Sequence, residues 1–304
     1  MKKLIFCAYA IDDKKQTGVN VLHQNNAENI YYENICVALL SAKMNNPDDD
    51  VALVTNHALP EKYKDFFGKN NLLVFNKEFD NFVFDNNCKW GLAFYKLCAL
   101  EHVVNDLDYD YIVMVDCDTF TQFALNNVWN ECDENILVYD ICHGLQVNDY
   151  QIFLNDVEHF FGERVFITHY GGEFVAGKKD KLISFVQDLQ KVYLFYMKNN
   201  ICIECGDETI LSIAAHIQKE KVKNAGAYIY RFWTGTFRLT STCYIKNPVA
   251  ILHLPDEKTK GLRKIFKKFY KNKKISNKRI ASICHLNKPS FSTWIKMKIK
   301  GFKH

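Results

Sequence analysis

The first half of the chain alternates short apolar runs with longer segments in which apolar residues recur at helical spacing. The runs predict strands and the periodic segments predict helices. Strands that alternate with helices are typical of a mainly parallel sheet with helices on both faces. The predicted strands are residues 3–10, 51–55, 72–75 and 111–115, and the predicted helices are residues 28–44 and 90–104. We therefore expect an α/β fold.

The second half is less regular. It predicts strands at residues 136–141, 228–231 and 249–252 and helices at residues 181–198 and 207–216, with a Gly-punctuated loop or short strand at residues 170–177. Beyond Pro255 the sequence becomes rich in Lys and amphipathic. We expect a body at residues 1–255, divisible into residues 1–120 and 121–255, followed by a basic helical tail at residues 256–304.

Two carboxylates, Asp116 and Asp118, directly follow the apolar run at residues 111–115. Alternation along a strand would turn both side chains to one side, and ligands of such sheets bind at the carboxyl ends of the strands. Paired carboxylates suit a hard divalent cation such as Mg²⁺ or Mn²⁺, which could bridge a diphosphate and offset the charge on a leaving phosphate. A pair of solvated aspartates in a surface turn is the alternative.

A phosphatase motif of the haloacid-dehalogenase type, D-x-D-x-T/V, also follows an apolar strand. Here Thr119 comes directly after the second Asp, and Phe120 stands where the motif expects Thr or Val. That motif also sits on the first strand, whereas this one begins at residue 116. Both differences disfavour the phosphatase interpretation.

Several separated stretches can be compared with known motifs. In chain order they are Phe6-Cys7-Ala8-Tyr9 with Asp12, Trp90-x5-Lys96, the Asp116–Asp118 pair, Tyr170–Gly177, Gly206-Asp207-Glu208-Thr209-Ile210-Leu211, and His253 to Gly261. Together they resemble the retaining glycosyltransferases of families eight and six, which have the GT-A fold. The resemblance covers most of residues 3–261. It implies a GT-A fold with a mixed, mainly parallel central sheet, a nucleotide-binding half at residues 1–120 and a sugar and acceptor half at residues 121–255.

The resemblance also implies roles for single residues. The residues implied to contact the donor are Ala8, Tyr9, Asp12, Lys96, Asp116, Lys258 and Lys260. The implied metal ligands are Asp116, Asp118 and His253, and the implied catalytic residues are Glu173, Asp207 and Glu208. Two departures stand out: Lys96 lies where these families often have Arg, and the motif after His253 lacks its middle Gly and has its lysines one residue off on either side.

Each of these residues also has a purely structural interpretation. Tyr9 fits a core position in a first strand, and Asp207 fits a helix cap. His253 fits a structural histidine at the end of a short strand, although neutral imidazole also ligates Mn²⁺. Lys258 and Lys260 fit the start of the basic tail equally well.

The activity implied by the resemblance is transfer of a sugar from a UDP-sugar to a hydroxyl of a glycan or lipid-linked glycan acceptor, with Mn²⁺ or Mg²⁺. It implies retention of configuration, but an inverting enzyme would use the same carboxylates as a base, and both remain open. The residues are also compatible with a non-catalytic sugar- or nucleotide-binding module and with a phosphatase or nucleotidyltransferase.

The charge is segregated along the chain. Residues 256–304 contain 16 Lys and Arg against 2 Asp and Glu, a charge of +14, so the rest of this chain of net charge +4 carries −10. Ile265, Phe266, Phe269 and Tyr270 interleave with lysines there, and Trp294 follows later. Such a segment suggests an anionic membrane surface as partner. The acidic body argues against a nucleic-acid groove, so no nucleic acid is expected.

The expected location is cytoplasmic, peripheral to the inner face of a membrane. Residues 3–10 predict a first strand because the apolar run is too short for a signal peptide. Most of the 11 cysteines lie in apolar contexts, where cysteine behaves as a small hydrophobic residue. Unpaired cysteines are expected in a reducing compartment. Cys202 and Cys205 lack a second ligand pair for zinc, which predicts packed thiols.

Overall fold

The computed structural model describes residues 1–11, 27–84, 90–142, 147–235, 249–288 and 290–301. The strands are β1 (Lys3–Tyr9), β2 (Asp50–Thr55), β3 (Leu73–Asn76), β4 (Tyr111–Val115), β5 (Thr119–Thr121), β6 (Ile136–Asp140), β7 (Tyr170–Lys178), β8 (Val222–Asn224), β9 (Ile229–Arg231) and β10 (Ile251–His253). The helices are α1 (Ala27–Asn45), α2 (Glu61–Lys69), α3 (Tyr95–Asp106), α4 (Asn126–Cys132), α5 (Val147–Phe161), α6 (Lys179–Lys198), α7 (Asp207–Ile217), α8 (Gly261–Phe269), α9 (Asn277–Ile283) and α10 (Phe291–Gly301).

The central sheet has seven strands in the order β3-β2-β1-β4-β7-β6-β8. Strand β7 runs antiparallel to β4 and β6, and the other neighbours are parallel. All five residues of β4 are buried, because helices cover both faces of the sheet. Val113 and Val115 face the core that α1 joins, while Ile112 and Met114 face the core that α3 and α6 join. The predicted α/β fold with a mainly parallel sheet is confirmed.

A second, three-stranded sheet has the order β5-β10-β9. In its register His253 of β10 lies opposite Thr119 of β5 and opposite Arg231 of β9. The backbone N–H of Leu254 also donates to the carbonyl of Asp118 at 2.9 Å. This small sheet therefore brings a residue from late in the chain against the end of β4.

The start of the basic segment packs into the body. Leu262, Ile265, Phe266 and Phe269 of α8 are buried in the same core as α1, and Arg263 Nε of α8 donates to Glu33 Oε2 at 2.6 Å. The interpretation of Ile265, Phe266 and Phe269 as a membrane-facing surface is therefore wrong.

The next helix, α9, follows the same pattern, with Ile280 and Ile283 buried in that core. Exposed apolar side chains occur instead on α10, where Phe291, Trp294 and Ile299 are exposed. None of the helices in the described ranges combines the length and the apolarity that crossing a membrane would need. The division of residues 1–255 into two functional halves stays a prediction.

The cysteines follow the sequence prediction in part. Cys7, Cys36, Cys117 and Cys284 are buried free thiols, as expected for small hydrophobic residues. Cys202 is disulfide-bonded, so the prediction of packed thiols is wrong for Cys202.

Candidate active site

Asp116 and Asp118 lie at the carboxyl end of β4, where the chain turns into β5. The Asp116 N–H donates to the Glu173 carbonyl of β7 at 3.0 Å, and its own carbonyl accepts from Thr119 Oγ1 at 2.8 Å. The turn leaves the two carboxylates in different surroundings. The Asp116 side chain is 25% exposed, whereas that of Asp118 is 0% exposed.

Two cationic side chains, His253 at the end of β10 and Lys258 after the turn that follows, meet the buried carboxylate of Asp118. His253 Nε2 lies 3.3 Å from Asp118 Oδ1 and 4.0 Å from Asp116 Oδ2, and Lys258 Nζ donates to Asp118 Oδ2. Burial opposes ionisation of Asp118, yet Lys258 and His253 hold its pKa below the usual range. Burial alone would lower the pKa of His253, but Asp118 and Glu173 raise it to about 9.

The arrangement fits a divalent ion. Ligand atoms held at about 2.1 Å in an octahedron lie roughly 3 Å apart when adjacent and roughly 4 Å apart when opposite, and the two His253–carboxylate distances fall in this range. Asp118 Oδ1 is buried and accepts no hydrogen bond from the described part of the chain, so it remains available to an ion. Asp116, Asp118 and His253 could therefore hold Mn²⁺ or Mg²⁺.

Cys117 lies between the two carboxylates, and the ligand atoms of Asp116, Cys117 and Asp118 all lie within 4.8 Å of one another. Burial, with the charges of Asp116 and Asp118, raises the pKa of its thiol well above the usual value. A protonated thiol is a poor ligand for a hard cation. The oxygen atoms and the imidazole remain the better ligands.

Lys96 joins the end of β4 to the start of α7. Its Nζ, on the first turn of α3, lies 3.1 Å from Asp207 Oδ2 and 3.9 Å from Asp116 Oδ2, and it donates to the Gly172 carbonyl at 3.1 Å. Burial raises the pKa of Asp207 to about 6 despite the opposing effect of Lys96, and Glu208 adds to the rise. The cap position of α7 is Gly206, so Asp207 is the first residue inside the helix, where its side chain makes this ion pair.

Glu208 is the second reachable carboxylate, with 24% of its side chain exposed. Its Oε1 lies 3.1 Å from Arg231 Nη2 and its Oε2 lies 3.1 Å from His169 Nε2. The His169 ring stacks on Phe153 with 3.9 Å between ring centroids. Burial opposes ionisation of Glu208, but His169 and Arg231 together lower its pKa.

The third predicted catalytic residue, Glu173, is fully enclosed. Its Oε1 accepts from Arg231 Nε at 2.6 Å and lies 3.1 Å from His253 Nδ1, while its Oε2 accepts from Arg231 Nη2 at 2.5 Å. Burial opposes ionisation, and Arg231 and His253 hold the pKa of Glu173 well below its usual range. The structure thus brings Glu173 to the site but behind His253.

Two adjacent glycines of β7 make room for these ion pairs. A Cβ on Gly171 would lie 1.9 Å from Glu173 Oε2, and a Cβ on Gly172 would lie 2.2 Å from Asp207 Oδ2 and 2.7 Å from Lys96 Nζ. Neither position therefore accepts a side chain while the pairs keep their geometry. This explains the Gly-Gly pair in residues 170–177, which were predicted as a loop or short strand and form most of strand β7.

The other residues that were predicted to contact the donor differ in their exposure. Ala8 lies partly exposed near the end of β1, whereas Tyr9 is buried, with its ring 5.4 Å from the Tyr31 ring, as in a core position. Lys260 is exposed at the cap of α8, in contrast to buried Lys258. Asp12 lies outside the described residues. Their contacts with a donor stay predictions.

Three residues of the site were not predicted from the sequence: Arg231, His169 and Asp156. Asp156 of α5 is buried and accepts from the Cys205 N–H at 2.9 Å, the Glu204 N–H at 3.2 Å and Thr209 Oγ1 at 3.0 Å. It thereby fixes the turn that leads into α7. The sequence signal that could have indicated Asp156 and Arg231 is a charged residue next to apolar or aromatic ones: Asp156 precedes Val157, and Arg231 follows Tyr230.

Comparisons with known proteins gave structural neighbours only. No model of a protein family matches the sequence, and neither does any curated protein. Among solved structures, the galactosyltransferase LgtC in complex with donor and acceptor sugar analogs is 15% identical, with a TM-score of 0.56 over 92% of this chain and 99% of LgtC. Mouse xyloside xylosyltransferase 1 is 10% identical, with a TM-score of 0.55 over 83% of this chain and 97% of that protein.

A solved structure of an active-site mutant of LgtC gives a similar result, with 13% identity and a TM-score of 0.55 over 91% of this chain and 98% of the mutant. These neighbours are glycosyltransferases of the GT-A fold, and the alignments span nearly their whole length. At such low identity the likeness concerns the fold. The chain therefore has the GT-A fold, and its structural neighbours are enzymes that transfer sugars.

Proposed function

We propose that the protein transfers a sugar from a UDP-sugar to a hydroxyl of a glycan or lipid-linked glycan acceptor, with retention of configuration. The observation that carries the proposal is the cluster at the end of β4. There a set of ligands that fits a divalent ion lies beside two further acidic residues from the start of α7. Retention is the outcome that the resemblance to families eight and six implies.

The proposed roles follow from where the side chains lie. Asp116, Asp118 and His253 would hold Mn²⁺ or Mg²⁺, which when bound offsets the charge of the departing diphosphate. Lys258 lies against Asp118, where its ammonium could contact a diphosphate oxygen once an ion takes its place. The nucleotide would lie along Ala8, Tyr9 and the segment with Asp12.

On the sugar side, Glu208 is the partly exposed carboxylate and would face the anomeric carbon, where a negative charge stabilises the developing positive charge. Asp207, with only 6% of its side chain exposed, would line the sugar site, with Lys96 holding its carboxylate beside Asp116. An ordered placement of donor and acceptor by these groups would supply much of the rate enhancement.

We place the proposed contact with a membrane surface on α10. Its apolar side chains Phe291, Trp294, Ile295 and Ile299 are exposed, and Lys298 Nζ lies 5.8 Å from the Trp294 ring. An exposed aromatic and aliphatic face flanked by lysines suits an anionic lipid surface. A lipid-linked acceptor at the cytoplasmic face of a membrane would be presented there. No nucleic-acid partner is proposed.

The test measures thermal stability with UDP and a panel of UDP-sugars, with and without Mn²⁺, and assays the products released from each donor. We expect stabilisation by UDP that requires Mn²⁺ and is lost in Asp116→Asn, a change at a partly exposed side chain that should spare the fold. UDP should be the released product. Release of phosphate or pyrophosphate would instead indicate a phosphatase or nucleotidyltransferase, and donor binding without turnover would indicate a binding module.

A further inference from the structure

The carboxylate of Glu173 has no free face for a substrate. Its side chain is 0% exposed, and each of its oxygens is engaged by Arg231. A group that hydrogen-bonds a sugar must reach the cleft, as Glu208 does with a quarter of its side chain exposed. The geometry of Glu173 therefore points to a task inside the protein.

That task concerns the orientation of His253. Glu173 Oε1 lies 3.1 Å from His253 Nδ1, on the side of the ring opposite to Nε2, which lies 3.3 Å from Asp118 Oδ1. Imidazoles that ligate metal ions are commonly held by a carboxylate on the second ring nitrogen, which fixes both the ring orientation and the nitrogen that is free to ligate. When Nδ1–H donates to Glu173, Nε2 is directed at Asp116 and Asp118.

Arg231 extends this arrangement to the sugar side. Its Nη2 contacts both Glu173 Oε2, at 2.5 Å, and Glu208 Oε1, at 3.1 Å. The pairing of β9 with β10 puts Arg231 beside His253. The backbone N–H of Arg231 donates to the Tyr139 hydroxyl at 3.1 Å. One guanidinium thus holds the carboxylate behind His253 and the carboxylate that faces the cleft.

We propose that Glu173 is a positioning residue: it holds His253 Nε2 toward the cation site and, through Arg231, fixes Glu208 relative to that site. This inference rests on the proposed function, since it assigns His253 as a ligand of the cation. It replaces the sequence expectation that Glu173 itself takes part in catalysis.

The experiment measures Mn²⁺ affinity in the presence of UDP from the electron paramagnetic resonance signal of free Mn²⁺. The proteins are the wild type, Glu173→Gln, His253→Ala and the double variant. We expect Glu173→Gln to weaken Mn²⁺ binding about 10- to 100-fold. In the His253→Ala background the same change should have almost no further effect, because Glu173 acts through His253.

A matched control is Glu101→Gln. Glu101 is another buried carboxylate with side-chain hydrogen-bond partners, Asn81 and Gln190, but it lies on α3 away from the cation site. Its loss should leave Mn²⁺ affinity unchanged. Should Glu173→Gln fail to fold, Glu173→Asp keeps the charge next to Arg231 and withdraws the oxygen from His253, so a smaller loss that again depends on His253 is expected.

The outcomes separate the two proposals. Wild-type binding of Mn²⁺ with UDP, together with a Glu173→Gln affinity equal to wild type or an equal loss with and without His253, overturns the positioning role and leaves the proposed function intact. A wild-type protein that binds no Mn²⁺ with UDP contradicts the proposed function and, with it, the positioning role.

Discussion

Lys96 Nζ lies 3.1 Å from Asp207 Oδ2, so a partly exposed lysine on α3 and the buried first residue of α7 form an ion pair beside the end of β4. The same ammonium lies 3.9 Å from Asp116 Oδ2. One cation therefore neutralises parts of two acidic motifs that are far apart in the sequence. The pair keeps Asp207 inside the site, although burial disfavours its ionised form.

The first prediction concerns the pH dependence of stability. Because the pKa of Asp207 is raised to about 6 from 3.8, the folded protein binds a proton between about pH 4 and pH 6 that the unfolded chain does not. The free energy of unfolding should therefore fall as the pH rises through this range. Asp207→Asn lacks the titration, so its stability relative to wild type should rise by about 2 to 3 kcal/mol from pH 4 to pH 7.

Urea unfolding of both proteins at several pH values measures that difference. Comparing the two proteins at each pH cancels the contributions of the other carboxylates. A difference that stays constant across the range would mean that Lys96 keeps Asp207 ionised throughout.

The second prediction distinguishes two neighbouring lysines. Lys258→Met removes one of the two cationic side chains that meet buried Asp118 and leaves His253 to face its charge, so the free energy of unfolding without metal should fall by up to about 3 kcal/mol. Mn²⁺ should then raise the melting temperature more than it does in wild type, because the ion supplies the missing positive charge. Lys260→Met, at an exposed position, should change neither quantity. Equal responses of the two variants to Mn²⁺ would contradict this assignment of Lys258.

The third prediction concerns the glycines of β7. In Gly172→Ala the new methyl group would meet the Asp207 carboxylate at 2.2 Å, so we expect a loss of about 1 to 3 kcal/mol in the free energy of unfolding. Gly68→Ala is the control. Gly68 lies in α2 with nothing within 4 Å of its added Cβ, and the change should stabilise by about 0.4 to 1 kcal/mol. Chemical denaturation measures both, and a neutral Gly172→Ala would show that the ion pair can move aside.

The fourth prediction tests the surface of α10. Replacing Phe291 and Trp294 with Ala should reduce binding to vesicles that contain anionic phospholipid about tenfold or more, since both rings are exposed and stacked, with 6.2 Å between their centroids. Phe166→Ala removes an aromatic side chain that is 73% exposed elsewhere and should have no effect. Co-sedimentation with the vesicles measures both variants. Wild-type protein that stays in the supernatant would rule out membrane contact through α10.

The sequence predicted β4, α1 and α6 because their patterns are local. It did not predict α5, although that helix has 15 residues, and it predicted only a loop or short strand where the nine-residue β7 lies. The run at residues 111–115 is apolar throughout since both faces of β4 are buried, and the helical spacing in α6 arises because only one side of that helix is buried. Strands β5 and β8 have three residues each, too few to show a period. The direction of β7 was not readable either, because strand patterns do not encode the sense of pairing.

By itself, the sequence determined that two carboxylates end a buried strand, that acidic residues begin α7, and that the chain forms an α/β fold, since each follows from neighbouring residues. Only the tertiary structure decided which partners they meet. Lys258 rather than Lys260 reaches Asp118, 140 residues away, and Arg231 joins Glu173 to Glu208. The physical reason is that these contacts depend on the register of β10 with β5 and β9, which pairs segments distant in the chain.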